Sequence, residues 1–344
     1  MENVVLDGII FSLQRYGGIS VYFRELLSAL AVSDLNVDLN VGAPLLQNLD
    51  ELPPSINLVC RQDRRLERFR ACRTSAQHGI FHSSYYRTPS SGSALPSVVT
   101  VHDFIHEKIH KNVKSLAHTL QKRKAIKEAQ AIICISESTK ADLIDLVGVR
   151  PGQSIHVIPN GVSENFKPIS SAPRGNFAVF VGERKSYKNF KLAAEAMAFL
   201  PDMELWCVGG GACTASDVAG LSEEVVHRLK FLGHVSEYQL NEFYNQAVCL
   251  IYPSGYEGFG IPVGEAMKAG CPVICVDTPA VIETGGLALE VASEPNGEEI
   301  ARCVIQLRDP SYRQIKADLG LQIASRYSWK LCHAKTIEVY HSLL

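Results

Sequence analysis

The chain has 344 residues, 46% of them hydrophobic and 20% charged. This is a globular balance with room for two domains, unlike a disordered or collagen-like composition. Its 34 Lys and Arg against 36 Asp and Glu leave a formal charge of −2, which argues against a whole-chain nucleic-acid binder. No run of about 18 apolar residues is present to span a membrane. The opening MENVVLDGIIF has neither the cationic start nor the small-residue cleavage site of a secretory signal, so the expected location is cytoplasmic.

Taken in chain order, short β-branched apolar runs alternate with segments of helical period. In the first half, strands are expected at 3–10, 36–41, 56–60, 79–83, 97–102, 131–135 and 155–158, and helices at 19–31, 114–129 and 137–147. Two basic stretches interrupt the pattern. RQDRRLERFRACR (61–73) carries six Arg, and residues 108–127 carry seven Lys or Arg. Residues 1–160 hold 18 basic against 15 acidic side chains, whereas the rest is acidic overall. The basic stretches read either as solvated faces or as a surface resting on anionic lipid headgroups. The Ser- and Pro-bearing segment 163–175 reads as a linker.

In the second half, strands are expected at 177–182, 204–208, 229–233, 248–252, 272–276 and 287–291. Helices are expected at 189–199, 216–226, 237–246, 261–269, 296–307 and 328–343. Apolar strands between helices imply parallel sheets covered on both faces, hence a doubly wound α/β architecture repeated twice. The domains are expected at 1–162 and 176–327, with 328–344 as a helix packing back on the first. The ten cysteines form no Cys-x-x-Cys and sit mostly in apolar runs, as buried reduced thiols rather than a disulfide framework or zinc site.

Ligands of open parallel sheets lie beyond the carboxyl ends of the strands. After the strand at 248–252 runs YPSGYEGFGIPVGEAMKAGCPVI, a loop with three glycines leading into a helix with Pro262 in its first turn. Backbone N–H groups at such a junction favour an anion such as a pyrophosphate. Glu257 and Glu265 bracket it, and carboxylates accept the paired hydroxyls of ribose and hexoses. Arg184 and Lys188 follow the strand at 177–182 and suit phosphate oxygens, one as a planar fork and the other as a point charge. Gly209-Gly210-Gly211 lacks the Gly-x-Gly-x-x-Gly spacing of a dinucleotide fingerprint, which argues against an NAD-dependent oxidoreductase.

Glu257-Gly258-Phe259-Gly260 with Glu265-Ala266-Met267 and Gly270-Cys271-Pro272-Val273 resembles the Glu-x7-Glu signature of the retaining glycosyltransferases of family 4. Gly182 to Asn189 resembles the family's phosphate-binding segment, and Gly17-Gly18-Ile19-Ser20 its N-terminal glycine loop. His102-Asp103, Ile158 to Val162 and Phe231 to Val235 fall in the matching order. The resemblance implies the GT-B fold, two Rossmann-like domains facing across a cleft. It implies that Arg184, Lys188, Gly17 and Gly18 hold a nucleotide diphosphate, that Glu265 holds the ribose and that Glu257 faces the transferred sugar. Gly258, Phe259 and Gly260 would contact sugar and phosphate, and His102 the donor sugar. Asp103 would orient its loop, Ser254 the Glu257 loop, and the backbone at Gly233 and Val235 would meet the base. The chain departs from the family pattern at Ser186 and Tyr187, before the phosphate lysine, and at Val281-Ile282-Glu283, where Leu-Pro-Glu is common.

No Asp-x-Asp pair is present to hold a divalent ion, so leaving-group stabilisation by fixed cations and backbone dipoles is expected, without metal or cofactor. The resemblance implies hexosyl transfer with retention, GDP-mannose being the first donor indicated by the opening LDGIIFSLQRYGGISVYFREL. The acceptor would be a saccharide or lipid-linked saccharide of a bacterial surface polysaccharide. The alternatives are an epimerase or hydrolase of nucleotide sugars, or a sugar-nucleotide-binding subunit without turnover.

Overall fold

The computed structural model describes residues 2–14, 17–42, 52–110, 113–170 and 172–344. The chain divides into two units, Met1–Gly161 with Trp329–Leu344, and Val162–Ser328. In the first, β1 (Asn3–Asp7), β2 (Asn36–Gly42), β3 (Ile56–Arg61), β4 (Ile80–Ser83), β5 (Ser97–Val101), β6 (Ala131–Cys134) and β7 (Ser154–Val157) form one sheet in the order 3-2-1-4-5-6-7. In the second, β8 (Phe177–Val181), β9 (Glu204–Val208), β10 (Leu229–Gly233), β11 (Cys249–Tyr252), β12 (Val273–Cys275) and β13 (Leu289–Val291) follow the order 10-9-8-11-12-13. Every pairing is parallel. Both sheets are therefore Rossmann-like, and their central strands are buried along nearly their whole length, as helices on two faces require. In each sheet the strand order reverses once, between β1 and β4 and between β8 and β11. Those reversals are the places where loops diverge and leave a crevice.

The N-terminal unit is closed by the last helix, Trp329–His341. Trp329, Cys332, Val339 and Tyr340 share one core with Val4, Leu6, Tyr22, Phe23 and Leu26. Inside that core the Tyr340 hydroxyl meets His82 Nδ1 at 2.5 Å, and His82 Nε2 meets Thr100 Oγ1 at 3.0 Å. Eight cysteines are buried, and Cys60 and Cys213 are exposed. Among the described residues, no helix is long and apolar enough to cross a membrane.

Several elements differ from the sequence expectations for local reasons. β1 stops at Asp7 because the chain turns into a short helix, Ile10–Leu13, after Gly8, whose backbone lies so close to Asn40 that a side chain would not fit. The helix expected over 216–226 is two short ones, Ala215–Val218 and Glu223–His227, separated by Gly220 at φ +80°. Besides the one-turn Ile10–Leu13 and Ile105–Lys108, two longer helices lie where none was expected, Pro279–Gly285 and Pro310–Ala324. Both start at a proline, and Asp309 caps the second by accepting the Tyr312 N–H at 2.7 Å. Its buried positions are the small Ala317, Gly320 and Ala324, so hydrophobic period gave little sign of it.

Segment 163–175 is no free linker. Phe166 is buried, the Lys167 N–H donates to Asn241 Oδ1 at 3.0 Å and the Ile169 N–H to Asn245 Oδ1 at 2.6 Å. Two asparagines on the helix Glu237–Gln246 thus satisfy its backbone and bind it to the second unit.

Candidate active site

The loops after β8 and β11 flank the reversal of the second sheet, and side chains zip them together. Asn189, held at φ +50°, donates from Nδ2 to the Pro253 carbonyl at 3.0 Å. The Gly255 N–H donates to the Tyr187 carbonyl at 2.8 Å, and Ser254 Oγ donates to the carbonyls of Tyr187 and Tyr256. Thr278 and Thr284 fasten the far side by donating to the carbonyls of Ser254 and Phe259 at 2.5 and 2.6 Å. The resulting frame holds Glu257 in a fixed position.

Lys188 Nζ donates to Glu257 Oε1 at 2.5 Å and to the Tyr252 hydroxyl at 3.0 Å; that hydroxyl donates to the same Oε1 at 2.7 Å. Both charged side chains are largely buried, 14% and 13% exposed, so their attraction is only weakly screened. Burial, then the Glu257 carboxylate, pushes the Tyr252 phenol well above its ordinary value, which keeps it a donor. Three N–H groups on an ammonium and two bonds made here leave one for a further acceptor.

Gly260, at φ +91°, caps the helix Ile261–Lys268, and Pro262 occupies its first turn. Pro262 brings no N–H and the Val263 N–H donates to the Gly260 carbonyl at 2.9 Å, so the positive pole of the helix rests on the amides ahead of Pro262. Phe259 is buried edge-on against Tyr327, with ring centroids 5.2 Å apart, which anchors the loop; Gly258 is buried beside it. Glu265 lies on the same helix, half-buried, and accepts from the Tyr244 hydroxyl at 3.3 Å. Burial and then the Glu237 carboxylate raise its carboxyl to about 8, against the lowering effect of Tyr244.

Arg184 is placed differently from Lys188. Its guanidinium donates to the carbonyls of Gly209 (3.1 Å), Gly210 (3.0 Å), Gly211 (3.2 Å) and Ala212 (2.6 Å). Its Nε pairs with Asp217 at 3.0 Å, and the side chain is 4% exposed over the Phe231 ring. The three glycines all have positive φ, +86°, +67° and +72°, and this turns successive carbonyls onto one cation. The Gly-rich run thus serves as a socket for Arg184. Gly233, at φ +66°, accepts the Gly209 N–H at 2.7 Å, and Val235 is half-exposed just beyond it.

In the N-terminal unit, Gly17 and Gly18 open the helix Gly18–Leu30 after β1. Gly17 is extended, and a Cβ there would strike Gln14 Oε1 at 2.3 Å. His102 follows β5 and is buried edge-on against Tyr22, with ring centroids 5.2 Å apart. Its Nε2 has no hydrogen-bond partner, and burial lowers its pKa to about 4. Asp103 accepts the Ile105 N–H at 3.0 Å, a bond within its own loop. Among the described residues no three His, Cys, Asp or Glu are grouped as metal ligands. The sequence did not single out Tyr252, Tyr244 or Asp217. Aromatic and acidic side chains at strand ends look like ordinary core or turn residues until their partners are known.

Two family models match the chain: Glycosyltransferase Family 4 over residues 16–166 and Glycosyl transferases group 1 over residues 162–310. The chain belongs to the glycosyltransferases. It is 28% identical over 241 residues to the O-antigen chain mannosyltransferase B of Escherichia coli, covering 64% of this chain and 62% of that protein. The chain thus spans less than two thirds of that relative. Sucrose-phosphate synthase of Thermosynechococcus elongatus superposes with a TM-score of 0.80 at 19% identity, over 100% of this chain and 99% of that one. Anabaena HepE, solved with UDP and glucose, gives 0.76 at 18% identity over the whole of both chains. The fold of this glycosyltransferase is therefore GT-B.

Proposed function

We propose that the chain transfers a hexosyl group, with retention, from a nucleotide diphosphate sugar to a saccharide hydroxyl, with GDP-mannose as donor and a lipid-linked saccharide of a bacterial surface polysaccharide as acceptor. The observation that carries this reading is the Lys188–Glu257–Tyr252 cluster at the carboxyl edge of the second sheet, with Glu265 one helix turn beyond the same glycine loop. Lys188 turns its remaining N–H to the diphosphate, and the positive pole of the helix Ile261–Lys268 shares the charge as the glycosidic bond breaks. Glu257 offers a carboxylate oxygen to a sugar hydroxyl, and Glu265 receives the ribose hydroxyls.

Arg184 acts here as a positioning residue. With its donors on four carbonyls and Asp217, it shapes the wall beside the nucleotide, and Lys188 supplies the cation. By the family resemblance, His102 serves the donor sugar and Gly17 and Gly18 the phosphate. The mannosyl donor rests on the likeness to the E. coli protein.

Membrane contact fits the surface of the N-terminal unit. The helix Val113–Glu128 exposes Leu116 and Leu120 beside Arg123, Lys124 and Lys127. Gln121 Nε2 donates to the Arg68 carbonyl at 2.7 Å, which places exposed Leu66 and Phe69 of the other basic stretch alongside. An apolar strip rimmed with cations suits an anionic bilayer surface. Lys111 of the second basic stretch lies outside the described residues.

The test is a transfer assay with GDP-mannose, UDP-glucose and a mannose-terminated acceptor, with NMR assignment of the new anomeric centre. Faster turnover of GDP-mannose and an α product from the α donor are expected. An inverted product, or release of free mannose at full rate without acceptor, would overturn the reading.

A further inference from the structure

The loop that follows His102 is gripped by a buried lysine from another element. Lys122, on the helix Val113–Glu128, is 0% exposed. Its ammonium donates to the Asp103 carbonyl at 2.9 Å and to Glu107 Oε2 at 2.9 Å. It also stands over the rings of Phe104 at 4.6 Å and Tyr86 at 5.3 Å, both of them buried. One side chain thus holds the segment from Asp103 to Glu107, directly after His102.

Tyr86 holds the same backbone. Its hydroxyl bonds to the His102 main chain. Its own φ is +59°, in the left-handed region that a bulky side chain disfavours. Strain of this kind persists where the surroundings over-determine a conformation, and it gathers at functional sites. Lysine, tyrosine and loop form one connected cluster: hydroxyl to His102, ring to ammonium, ammonium to Asp103.

Stability gives little reason for a lysine here. A buried ion pair recovers about what its desolvation costs, and well-packed apolar side chains often serve a core as well or better. With Glu107 at 3% exposure, what the pair contributes is a fixed position. Its charge also reaches the imidazole. Burial lowers the His102 pKa to about 4; the Asp103 carboxylate opposes this and the Lys122 ammonium reinforces it.

We infer that Lys122 is a positioning residue for the transfer: together with Tyr86 it fixes the main chain at His102 and Asp103, and through it the place of the imidazole. The inference rests on the reading that His102 serves the donor sugar.

The test measures kcat and KM for GDP-mannose, GDP affinity and Tm in substituted full-length chains. Lys122→Met alone leaves the Glu107 carboxylate buried without its cation and is expected to melt below the parent. Lys122→Met with Glu107→Gln removes both charges and should recover most of that Tm. It should still lose tenfold or more in kcat, with GDP affinity within twofold of the parent. Tyr86→Phe, which keeps the ring and drops the hydroxyl, should lower kcat in the same direction at near-parental Tm. Because the lysine acts through His102, adding the Lys122→Met and Glu107→Gln pair to His102→Leu should cost no more than a further twofold in kcat. Parental kcat in the charge-free double variant or in Tyr86→Phe would overturn the inference, and so would a further tenfold loss in the His102→Leu background. If His102→Leu by itself turns over at the parental rate, the reading of His102 fails and the inference with it. A slow His102→Leu beside a fast double variant sinks the inference alone.

Discussion

Lys188 and Glu257, 69 residues apart, meet at 2.5 Å because two loops that leave adjacent parallel strands are bonded backbone to backbone. Either side chain alone would be an incompletely compensated charge in a site that is mostly withdrawn from water. Lys188→Met is expected to lower kcat by about 10²–10³ and to weaken GDP binding. Glu257→Gln is expected to lower kcat with little change in GDP affinity. In a double-mutant cycle the two effects should fall well short of additive. Full additivity would mean that the pair does not act as a unit.

Glu265 ties stability to pH. Its carboxyl sits at about 8 in the folded chain against an ordinary value of 4.5. The folded state therefore holds a proton that the unfolded chain releases between those values. The stabilisation is complete below about pH 4.5 and is lost as pH rises through about 8. Glu265→Gln keeps the neutral shape, so it should be about 1–3 kcal/mol more stable than the parent at pH 9 and indistinguishable at pH 4. Urea unfolding at pH 4, 6, 8 and 9 checks this, and a difference that does not grow with pH would contradict it.

Arg184→Ala would leave four carbonyls and Asp217 without their shared cation. The expected cost is about 2–4 kcal/mol of stability, together with a weaker Kd for GDP from loss of the wall it braces. Arg184→Lys should recover little of either, since a point charge cannot reach carbonyls spread over four residues. Thermal unfolding with and without GDP separates the two effects. An Arg184→Ala protein of parental Tm would show the socket to be idle.

The architecture was legible from the alternation of apolar strands and helices, and the ends of β9, β10 and the helix Glu237–Gln246 match their expected ranges. The glycine loop and its two glutamates could be located because glycine and proline spell out a strand–loop–helix junction. What the sequence could not reveal is which cation faces which partner. Arg184 and Lys188 are four residues apart on one polar loop, yet the left-handed Asn189 and the glycine socket send one side chain to backbone carbonyls and the other to Glu257. Such choices depend on contacts across 25 to 69 residues, which no local pattern encodes.

His102 offers a second pH test. With its pKa lowered to about 4 by burial, the imidazole is neutral throughout the working range. The transfer rate should show no inflection near pH 6.5, where an ordinary histidine titrates. His102→Asn, which keeps a hydrogen-bonding group, should retain more kcat than His102→Leu. Equal loss in both would reduce the side chain to a packing element beside Tyr22.

Leu116→Asp with Leu120→Asp should abolish sedimentation with phosphatidylglycerol vesicles while preserving turnover of a soluble acceptor. Binding of the parent should weaken between 50 and 500 mM salt, because part of the attraction comes from the neighbouring Arg123, Lys124 and Lys127. Unaltered sedimentation of the doubly substituted protein would relocate the membrane contact.

The return of Trp329–His341 to the first core has a cost during synthesis. Residues 3–157 emerge from the ribosome carrying the whole seven-stranded sheet, but Tyr340, which fills the space beside Tyr22 and His82, comes nearly two hundred residues later. At roughly 5–20 residues per second, the nascent sheet waits ten seconds or more with one hydrophobic flank bare. Nascent chains stalled before residue 329 should therefore be retained by chaperones and open to protease, and a premature stop close to the carboxyl terminus should disable the amino-terminal half first.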